Sequence, residues 1–214
     1  MLLAAATAGM EQRDVVRGGY EEIATAYDEY RETETPPALD DGIGADCFAS
    51  LADGSRVLDA GCGAGRPVLE RLDRAHESVG LDIATSQLEL AREHVPAADL
   101  VRGDLARLPF ADDAFDALCS FYAIIHVPKE EHERVLSEFH RVLRPGGDLL
   151  VSMGAIEGWE GRNDDWLDTG TAMEWSYFGP AKSREIVETA GFEIVDERLP
   201  EVESDGFSVF WGRA

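Results

Sequence analysis

Three glycines at alternate positions are the chemically most informative feature of this chain. Gly61, Gly63 and Gly65 follow a short apolar run that is typical of a buried strand. Because glycine tolerates positive φ and lets the backbone approach a ligand closely, we expect a nucleotide-cofactor loop at this turn. A dinucleotide fingerprint needs a glycine at the sixth position, where this chain has Arg66, so the spacing argues against NAD.

An acidic residue closes each of three strand-like runs. Asp59 lies two places before the first glycine, Asp82 ends a second run and Asp104 ends a third. In a doubly wound sheet, the strand ends that carry such acids meet at one edge. Asp59 would then face an ammonium group, Asp82 a ribose diol and Asp104 the amino group of an adenine.

Further stretches accompany the glycine turn and the acids in a fixed order. Residues 20–27 contain Tyr-x-x-Ile-Ala-x-x-Tyr, residues 108–120 have the pattern of a turn into a fourth strand, and residues 141–151 contain a helix end, a Pro-Gly-Gly turn and a fifth strand. Over roughly residues 20–211 the chain resembles the class I S-adenosylmethionine-dependent methyltransferases, and especially their small-molecule-type members.

The resemblance implies an α/β fold, a Rossmann-like doubly wound sheet of seven strands in the order 3-2-1-4-5-7-6. The last strand would be antiparallel, with helices on both faces of the sheet. S-adenosylmethionine is the implied cofactor, and no metal is expected. The implied cofactor-binding residues are Tyr27, Asp59, Gly61, Gly63, Gly65, Asp82, Ile83, Asp104, Leu105 and Phe121.

The sequence predicts one domain preceded by a tail. Residues 1–19 are expected to be flexible, and residues 20–214 to form a single methyltransferase domain whose cap helices occupy residues 20–52. The first cap helix is predicted to start after the Gly18-Gly19 pair, because glycine disfavours helix interiors. Residues 86–89 have the pattern of a capping box for the helix that follows the second strand.

Two side chains are candidates for catalysis. Methyl transfer requires alignment of the acceptor with the methyl group, and a base only where the acceptor must lose a proton. His126, just beyond the fourth strand, is the candidate base, and a structural histidine bonded to the backbone is the alternative. Tyr20 is expected to close the site from the amino-terminal helix, although Tyr20 and Tyr27 could equally pack that helix onto the sheet.

The segment 154–178 is rich in aromatic residues and lies between the fifth strand and the last helix. Loops at the carboxyl ends of parallel strands shape the ligand crevice, so we interpret this insertion as an acceptor wall or lid. The alternative is that its rings cover exposed core. The candidate substrate contacts are Trp159, Trp166, Trp175 and Tyr177.

Charge and composition narrow the choice of partners. The chain has 43 acidic and 19 basic residues and a net charge of −24, a surface that repels nucleic acid. The composition resembles that of salt-adapted haloarchaeal proteins; an acidic patch that recruits a cationic partner is the alternative.

No apolar run approaches the roughly 18 residues of a membrane helix. Three widely spaced cysteines fit a reducing cytoplasm.

These observations predict a cytoplasmic enzyme that methylates a small molecule on oxygen, nitrogen or carbon. Three alternatives stay open. A regulatory protein would bind S-adenosylmethionine without turnover, a nucleotide-sugar or NAD enzyme would bind another cofactor, and a related methyltransferase would act on RNA or protein.

Overall fold

The computed structural model describes residues 2–31, 42–154, 158–199 and 207–214, with side chains described from residue 11 onward. The helices are α1 (Leu2–Glu22), α2 (Ala24–Arg31), α3 (Ile43–Ser50), α4 (Val68–Leu72), α5 (Thr85–His94), α6 (His132–Val142) and α7 (Pro180–Thr189). The strands are β1 (Arg56–Ala60), β2 (Glu77–Asp82), β3 (Asp99–Arg102), β4 (Phe115–Ser120), β5 (Leu143–Met153), β6 (Trp159–Trp166), β7 (Thr171–Tyr177), β8 (Glu193–Arg198) and β9 (Ser208–Arg213). The double proline at residues 36–37, where the sequence indicates a break between the cap helices, lies outside the described residues.

Seven strands form one sheet in the order β3-β2-β1-β4-β5-β9-β8. Strands β1 to β5 pair in parallel, and β9 runs antiparallel to both β5 and β8. This arrangement confirms the predicted fold and strand order, because β8 and β9 are the predicted sixth and seventh strands. Parallel pairing brings the carboxyl ends of β1, β2 and β4 to one edge of the sheet, where ligands bind in such folds.

Helix α6 shows how apolar spacing ties the helices to the sheet. Four apolar residues of this helix are spaced so that they share one face, and all four are fully buried: Val135, Leu136, Phe139 and Val142. Burying each such side chain stabilises the fold by about 1.5–3 kcal/mol. These side chains form one core cluster with residues of the central strands, such as Leu118 of β4 and Leu149 of β5.

The amino-terminal segment differs from its prediction. Helix α1 runs through both Gly18 and Gly19, so the predicted helix start after this pair is wrong, and residues 2–19 form a helix rather than a tail. A Cβ atom on Gly19 would lie 2.8 Å from the carbonyl oxygen of Ala172 and 2.8 Å from Cε of Met173. The glycine therefore allows α1 to pack closely against β7, a tertiary contact that outweighs its low helix propensity.

The start of α5 also differs from its prediction. No side chain of α5 caps its own amino terminus. Instead, the carboxylate of Glu21 on α1 accepts hydrogen bonds from the backbone N–H groups of Thr85 and Ser86, at 2.7 and 2.9 Å. The predicted capping box is therefore wrong, and a carboxylate from a distant helix satisfies these terminal donors.

The aromatic insertion is more regular than its composition indicates. Strands β6 and β7 form a separate two-stranded antiparallel sheet, with register from Trp159 opposite Tyr177 to Trp166 opposite Thr171. Its turn includes Leu167 and Asp168, both with φ of 56°. The hairpin lies against α1 through β7.

Candidate active site

A cleft of about 1040 Å³, including its mouth, lies at the carboxyl ends of the parallel strands. The sheet edge forms its floor, and side chains from α1 and α2 form its roof. The following sequence-predicted site residues line it: Tyr20, Tyr27, Asp59, Gly61, Gly63, Asp82, Ile83, Asp104, Leu105, Phe121 and His126.

The glycine turn adopts the conformation that its sequence predicts. Gly61, Gly63 and Gly65 have φ angles of 86°, 51° and 83°. A Cβ atom on Gly61 would lie 2.3 Å from Cβ of Ala123, so any larger residue would collide with the chain that leaves β4. Gly65 does not line the cleft. Its α-carbon faces Ala91 on α5, and it therefore permits close packing between the turn and that helix.

Asp82 ends β2 and organises the neighbouring backbone. One of its carboxylate oxygens accepts a hydrogen bond from the Gly63 N–H, and the other accepts one from the Ala84 N–H, both at 2.9 Å. Burial raises the pKa of the Asp82 carboxyl, and these hydrogen bonds act in the opposite direction. The carboxylate thus joins the glycine turn to the start of α5, and each oxygen retains a second lone pair toward the cleft.

Asp59 lies at the floor of the cleft with one oxygen unpaired. Its side chain is 2% exposed, and Oδ2 has no hydrogen-bond partner. The other oxygen lies 3.7 Å from the Cys119 thiol. Burial raises the pKa of Asp59 to about 7, and the nearby charge of Asp82 contributes in the same direction. A buried carboxylate in this state would gain stability from a cationic partner.

Asp104 is part of an ion network that crosses the cleft. Its Oδ2 lies 2.9 Å from Nε of Arg13, whose other nitrogens hold the Glu131 carboxylate at 2.6 and 2.7 Å. The second oxygen of Asp104 accepts a hydrogen bond from the Ala106 N–H at 2.8 Å. The Arg13 hydrogen bonds lower the pKa of Glu131. This network fastens α1 over the edge of the cleft beside Leu105.

Tyr20 and His126 form a hydrogen-bonded pair. The Nδ1 atom of His126 lies 2.9 Å from the backbone oxygen of Glu174, which only accepts, so Nδ1 carries the proton. Its Nε2 atom, 2.9 Å away, therefore accepts from the Tyr20 hydroxyl. Burial lowers the pKa of His126 to about 4 and raises the pKa of Tyr20 well above its usual value. Both groups are accordingly neutral near pH 7.

Two of the four predicted substrate-contacting rings, Trp166 and Trp175, pack against this pair and do not line the cleft. The Trp166 ring centroid lies 5.6 Å from that of Tyr20, and the Trp175 centroid lies 5.6 Å from that of His126. Trp159 contacts Trp175 and Tyr177 at 6.0 Å and is 46% exposed. The described residues that line the cleft include none of these four aromatic side chains. The hairpin thus packs against Tyr20 and His126 and holds their side chains in position.

The structure adds cleft residues that sequence reasoning missed. Arg13 reaches the cleft from the segment that the sequence predicts to be a tail, and Gln87 reaches it from α5, for which the sequence predicts no cleft residue. Tyr122 has φ of 56°, donates its backbone N–H to Ser152 Oγ at 2.7 Å and stacks its ring under the Arg31 guanidinium at 5.0 Å. A non-glycine residue in this region stores strain, which is common at functional sites. The only sequence signal for Tyr122 was its position after β4.

Comparison with known proteins identifies the same part of the chain. Residues 57–147 match a methyltransferase domain family. The chain is 33% identical over 160 residues to methyltransferase GfsG of Streptomyces halstedii, an alignment that covers 68% of this chain and 55% of that protein. A protein of Encephalitozoon cuniculi named as a methyltransferase is 32% identical over 162 residues, which cover 69% of this chain and 74% of that protein. The chain spans about half the length of several curated relatives that it matches.

A solved structure extends the likeness to the whole fold. The 1,6-didemethyltoxoflavin-N1-methyltransferase of Burkholderia thailandensis, with S-adenosylhomocysteine and its substrate bound, gives a TM-score of 0.72 at 21% identity. That superposition covers 96% of this chain and 89% of the other. A sequence identity of 21% supports only a shared fold. The relatives that are more than 30% identical establish the family. The chain belongs to the class I S-adenosylmethionine-dependent methyltransferases.

Proposed function

We propose that this protein transfers a methyl group from S-adenosylmethionine to a small-molecule acceptor in the cleft. The observation that carries the proposal is the unpartnered, buried Oδ2 of Asp59 at the cleft floor, directly before the glycine turn. A carboxylate in this position is costly to ionise unless a cation meets it. The α-ammonium group of the cofactor is such a cation.

The remaining strand ends suit the rest of the cofactor. Asp82 retains lone pairs for the ribose hydroxyls after accepting its two backbone N–H groups. Ile83 and Leu105 offer apolar surface on the two sides of an adenine, and Asp104 is placed to accept from its amino group. When bound, the cofactor supplies an electrophilic methyl group on a sulfonium. The aromatic rings of Tyr20 and Tyr27 favour that positive charge through cation–π contact.

The Tyr20–His126 pair suits the acceptor side of the reaction. The Tyr20 hydroxyl donates to His126 and is also hydrogen-bonded with Tyr27. Because a hydroxyl oxygen has two lone pairs, one remains to accept a hydrogen bond from the methyl acceptor. A histidine with a pKa of about 4 is a weak base, so the pair orients the acceptor more than it ionises it. Methylation makes a proton on the acceptor atom more acidic, and the Tyr20–His126 pair can take up that proton after the transfer. The pair therefore suits an acceptor atom that attacks the methyl group with a lone pair.

Charge and enclosure support a small molecule as the acceptor. A net charge of −24 repels nucleic acid, and the roof formed by α1 and α2 narrows the entrance. Cys47, Cys62 and Cys119 are unpaired and buried, in keeping with a proposed cytoplasmic location. In the part of the chain that the structure describes, no helix is both long and apolar enough to cross a membrane.

A labelling experiment tests the proposal. The protein is incubated in molar KCl with methyl-labelled S-adenosylmethionine and either small molecules or the macromolecules of a cell extract. We expect label in the small-molecule fraction, and Tyr20→Phe should reduce it at least tenfold, because the hydroxyl that holds the acceptor is lost. Tyr30→Phe makes the same chemical change at a side chain that is 43% exposed, and it should retain labelling.

The other outcomes contradict parts of the proposal. Label confined to RNA or protein would overturn the small-molecule acceptor. Tight binding of the cofactor without label in either fraction would favour a regulatory role. Failure to bind S-adenosylhomocysteine at all would overturn the cofactor site.

A further inference from the structure

Four aromatic side chains form a row that begins in the wall of the cleft and continues outside it. The ring centroid of Tyr122 lies 5.3 Å from that of Phe207, and the Phe207 centroid lies 5.9 Å from that of Tyr177. The Tyr177 centroid in turn lies 6.0 Å from that of Trp159. Of these four side chains, Tyr122 alone lines the cleft. We call Tyr122, Phe207, Tyr177 and Trp159 the aromatic row.

The aromatic row lies at the same edge of the sheet as the cleft. Tyr122 follows the carboxyl end of β4, and Phe207 precedes β9, whose first residue pairs with the last residue of β5. Tyr177 and Trp159 are opposite each other in the hairpin of β6 and β7. Because the parallel strands β4 and β5 end side by side, the row leads from the cleft to the hairpin.

The rings of the row are accessible, unlike the large aromatic rings of the core. Trp159 is 46% exposed and the other three are partly exposed, whereas Phe115, Phe139 and Phe210 are fully buried. Contiguous apolar surface is unfavourable in water and commonly marks a binding site. It stands out in a chain whose net charge is −24, because so many of its residues are carboxylates.

The backbone fixes the first ring of the row. Tyr122 has φ of 56°, and its N–H donates to Ser152 Oγ at 2.7 Å. Its ring contacts both the Phe207 ring and the Arg31 guanidinium, which lies 5.0 Å from the Tyr122 centroid. A strained conformation persists only where its surroundings hold it, and such positions cluster at ligand sites. One fixed side chain therefore belongs both to the cleft and to the aromatic row.

We propose that the aromatic row binds the apolar body of the methyl acceptor, while the nucleophilic end of the same molecule enters the cleft. The acceptor is then an amphipathic molecule with an extended hydrocarbon or aromatic body, rather than a compact polar molecule such as a sugar or an amino acid. Neighbouring rings of the row meet at 79°, 73° and 39°, so they present both faces and edges to such a body. This proposal rests on the proposed function, because it places the acceptor in the same cleft.

Continuity with the cleft identifies the occupant. Phe121, Tyr122 and Ala123 all line the cleft, so an apolar wall leads from its interior to the first ring of the row. A molecule whose reacting atom lies beside Tyr20 follows this wall as it leaves the cleft. A protein partner that only covered the row would need no ring inside the cleft.

The partition of the labelled product tests the class of acceptor. The small-molecule fraction of the labelling experiment is extracted with ethyl acetate at acidic, neutral and alkaline pH, so that an ionisable end is neutral in at least one extraction. We expect the label to enter the organic phase in that extraction, because transfer of an extended apolar body out of water is favourable.

A variant of the exposed end of the row tests where the acceptor binds. Trp159→Ser should lower labelling about tenfold when the extract is limiting and much less when it is in excess, because the row contributes to acceptor affinity and not to methyl transfer. Its affinity for S-adenosylhomocysteine should equal that of the parent. Val195→Ser removes an apolar side chain that is 42% exposed on β8, outside the row, and should label like the parent.

A neutral fluorescent probe measures the row without the acceptor. The fluorescence of N-phenyl-1-naphthylamine increases in apolar surroundings, and its lack of charge avoids repulsion by the acidic surface. With S-adenosylhomocysteine bound, the parent and Val195→Ser should bind the probe equally, and Trp159→Ser and Phe207→Ser should each bind it about tenfold more weakly. Melting temperatures show whether the variants are folded, and Trp159→Ser carries the test alone if Phe207→Ser is not.

The other outcomes separate this proposal from the proposed function. Label that stays in water in every extraction would overturn the amphipathic acceptor, although the protein would still methylate a small molecule. Equal labelling by the parent and a folded Trp159→Ser at limiting extract, or equal affinity of the two for the probe, would show that the row does not hold the acceptor. Label confined to macromolecules, or a parent that does not bind S-adenosylhomocysteine, would instead refute the proposed function.

Discussion

Asp59 makes cofactor affinity depend on pH. Its pKa is raised to about 7 by burial, so in the free protein a large part of the carboxyl is protonated near neutrality. An ammonium group binds the ionised form, and binding below pH 7 must therefore release a proton. Affinity for S-adenosylhomocysteine should be constant above about pH 8 and fall about tenfold for each pH unit below 7, or ~1.4 kcal/mol per unit.

Replacing Asp59 with asparagine should remove this dependence and weaken binding. A hydrogen bond to a charged group contributes about 1.5–3 kcal/mol, so Asp59→Asn should lose about 10-fold to 150-fold in affinity at pH 8. The affinity of the variant should then be nearly flat between pH 5.5 and 8. The difference in affinity between the parent protein and Asp59→Asn should therefore decrease as the pH falls.

As the pH rises, the affinity for the ligand should increase, whereas the free energy of unfolding of the ligand-free protein should decrease. The folded pKa of Asp59, about 7, lies above its unfolded value of roughly 3.9, so the folded state holds this proton more tightly. Through this group, stability decreases as the pH rises from about 4 to about 7 and is lowest once Asp59 is ionised. Asp59→Asn should therefore raise the melting temperature of the ligand-free protein at pH 8.

Isothermal titration calorimetry in buffers of different ionisation enthalpy measures both affinity and proton release. Asp53→Asn removes the same charge at an exposed position and should behave like the parent. A parent whose affinity is flat from pH 5.5 to 8, or an Asp59→Asn variant that keeps the parent's slope, would refute the assignment of Asp59 to the ammonium group.

Four further predictions follow from the site and its supports. Asp82→Ala should weaken binding of S-adenosylhomocysteine by ~2–4 kcal/mol, measured by calorimetry, because a charged acceptor is lost. If His126 acts as a base, His126→Ala should lower turnover about 100-fold in the labelling assay while cofactor affinity stays nearly unchanged, whereas equal losses in both would make His126 structural. Glu21→Ala should lower unfolding free energy in urea by about 0.5–2 kcal/mol, with Glu22→Ala as an exposed control. The melting temperature should rise from dilute buffer to molar KCl as the screening length falls to about 3 Å, and a flat or falling profile would contradict salt adaptation.

Local sequence is sufficient to predict the floor of the cleft. The conformations of Gly61 and Gly63 follow from residue type, because few other residues adopt positive φ. The acids at the strand ends reach one edge because parallel pairing brings those ends together. The order of the strands, in contrast, came from resemblance to a family, since apolar periodicity does not specify which strands pair.

Local sequence patterns do not predict how α1 and α2 form the roof of the cleft. Helix propensity placed a break at Gly18-Gly19, yet α1 continues because Gly19 allows close contact with β7. The side chain that caps α5 is 64 residues away from Thr85 in sequence, so no local capping pattern contains it. The Tyr20–His126 pair was predicted as two candidate residues, and its hydrogen bond depends on how α1 packs over the sheet.

By itself, the sequence determined the glycine turn, the acids at the strand ends and the strongly negative surface, because each depends on residue type and short-range spacing. Only the tertiary structure decided that α1 forms a wall of the cleft, that two tryptophans pack against Tyr20 and His126, and that the aromatic row begins at Tyr122. These features depend on contacts between segments far apart in the chain, and such contacts are set by the packing of the complete fold rather than by local conformational preference.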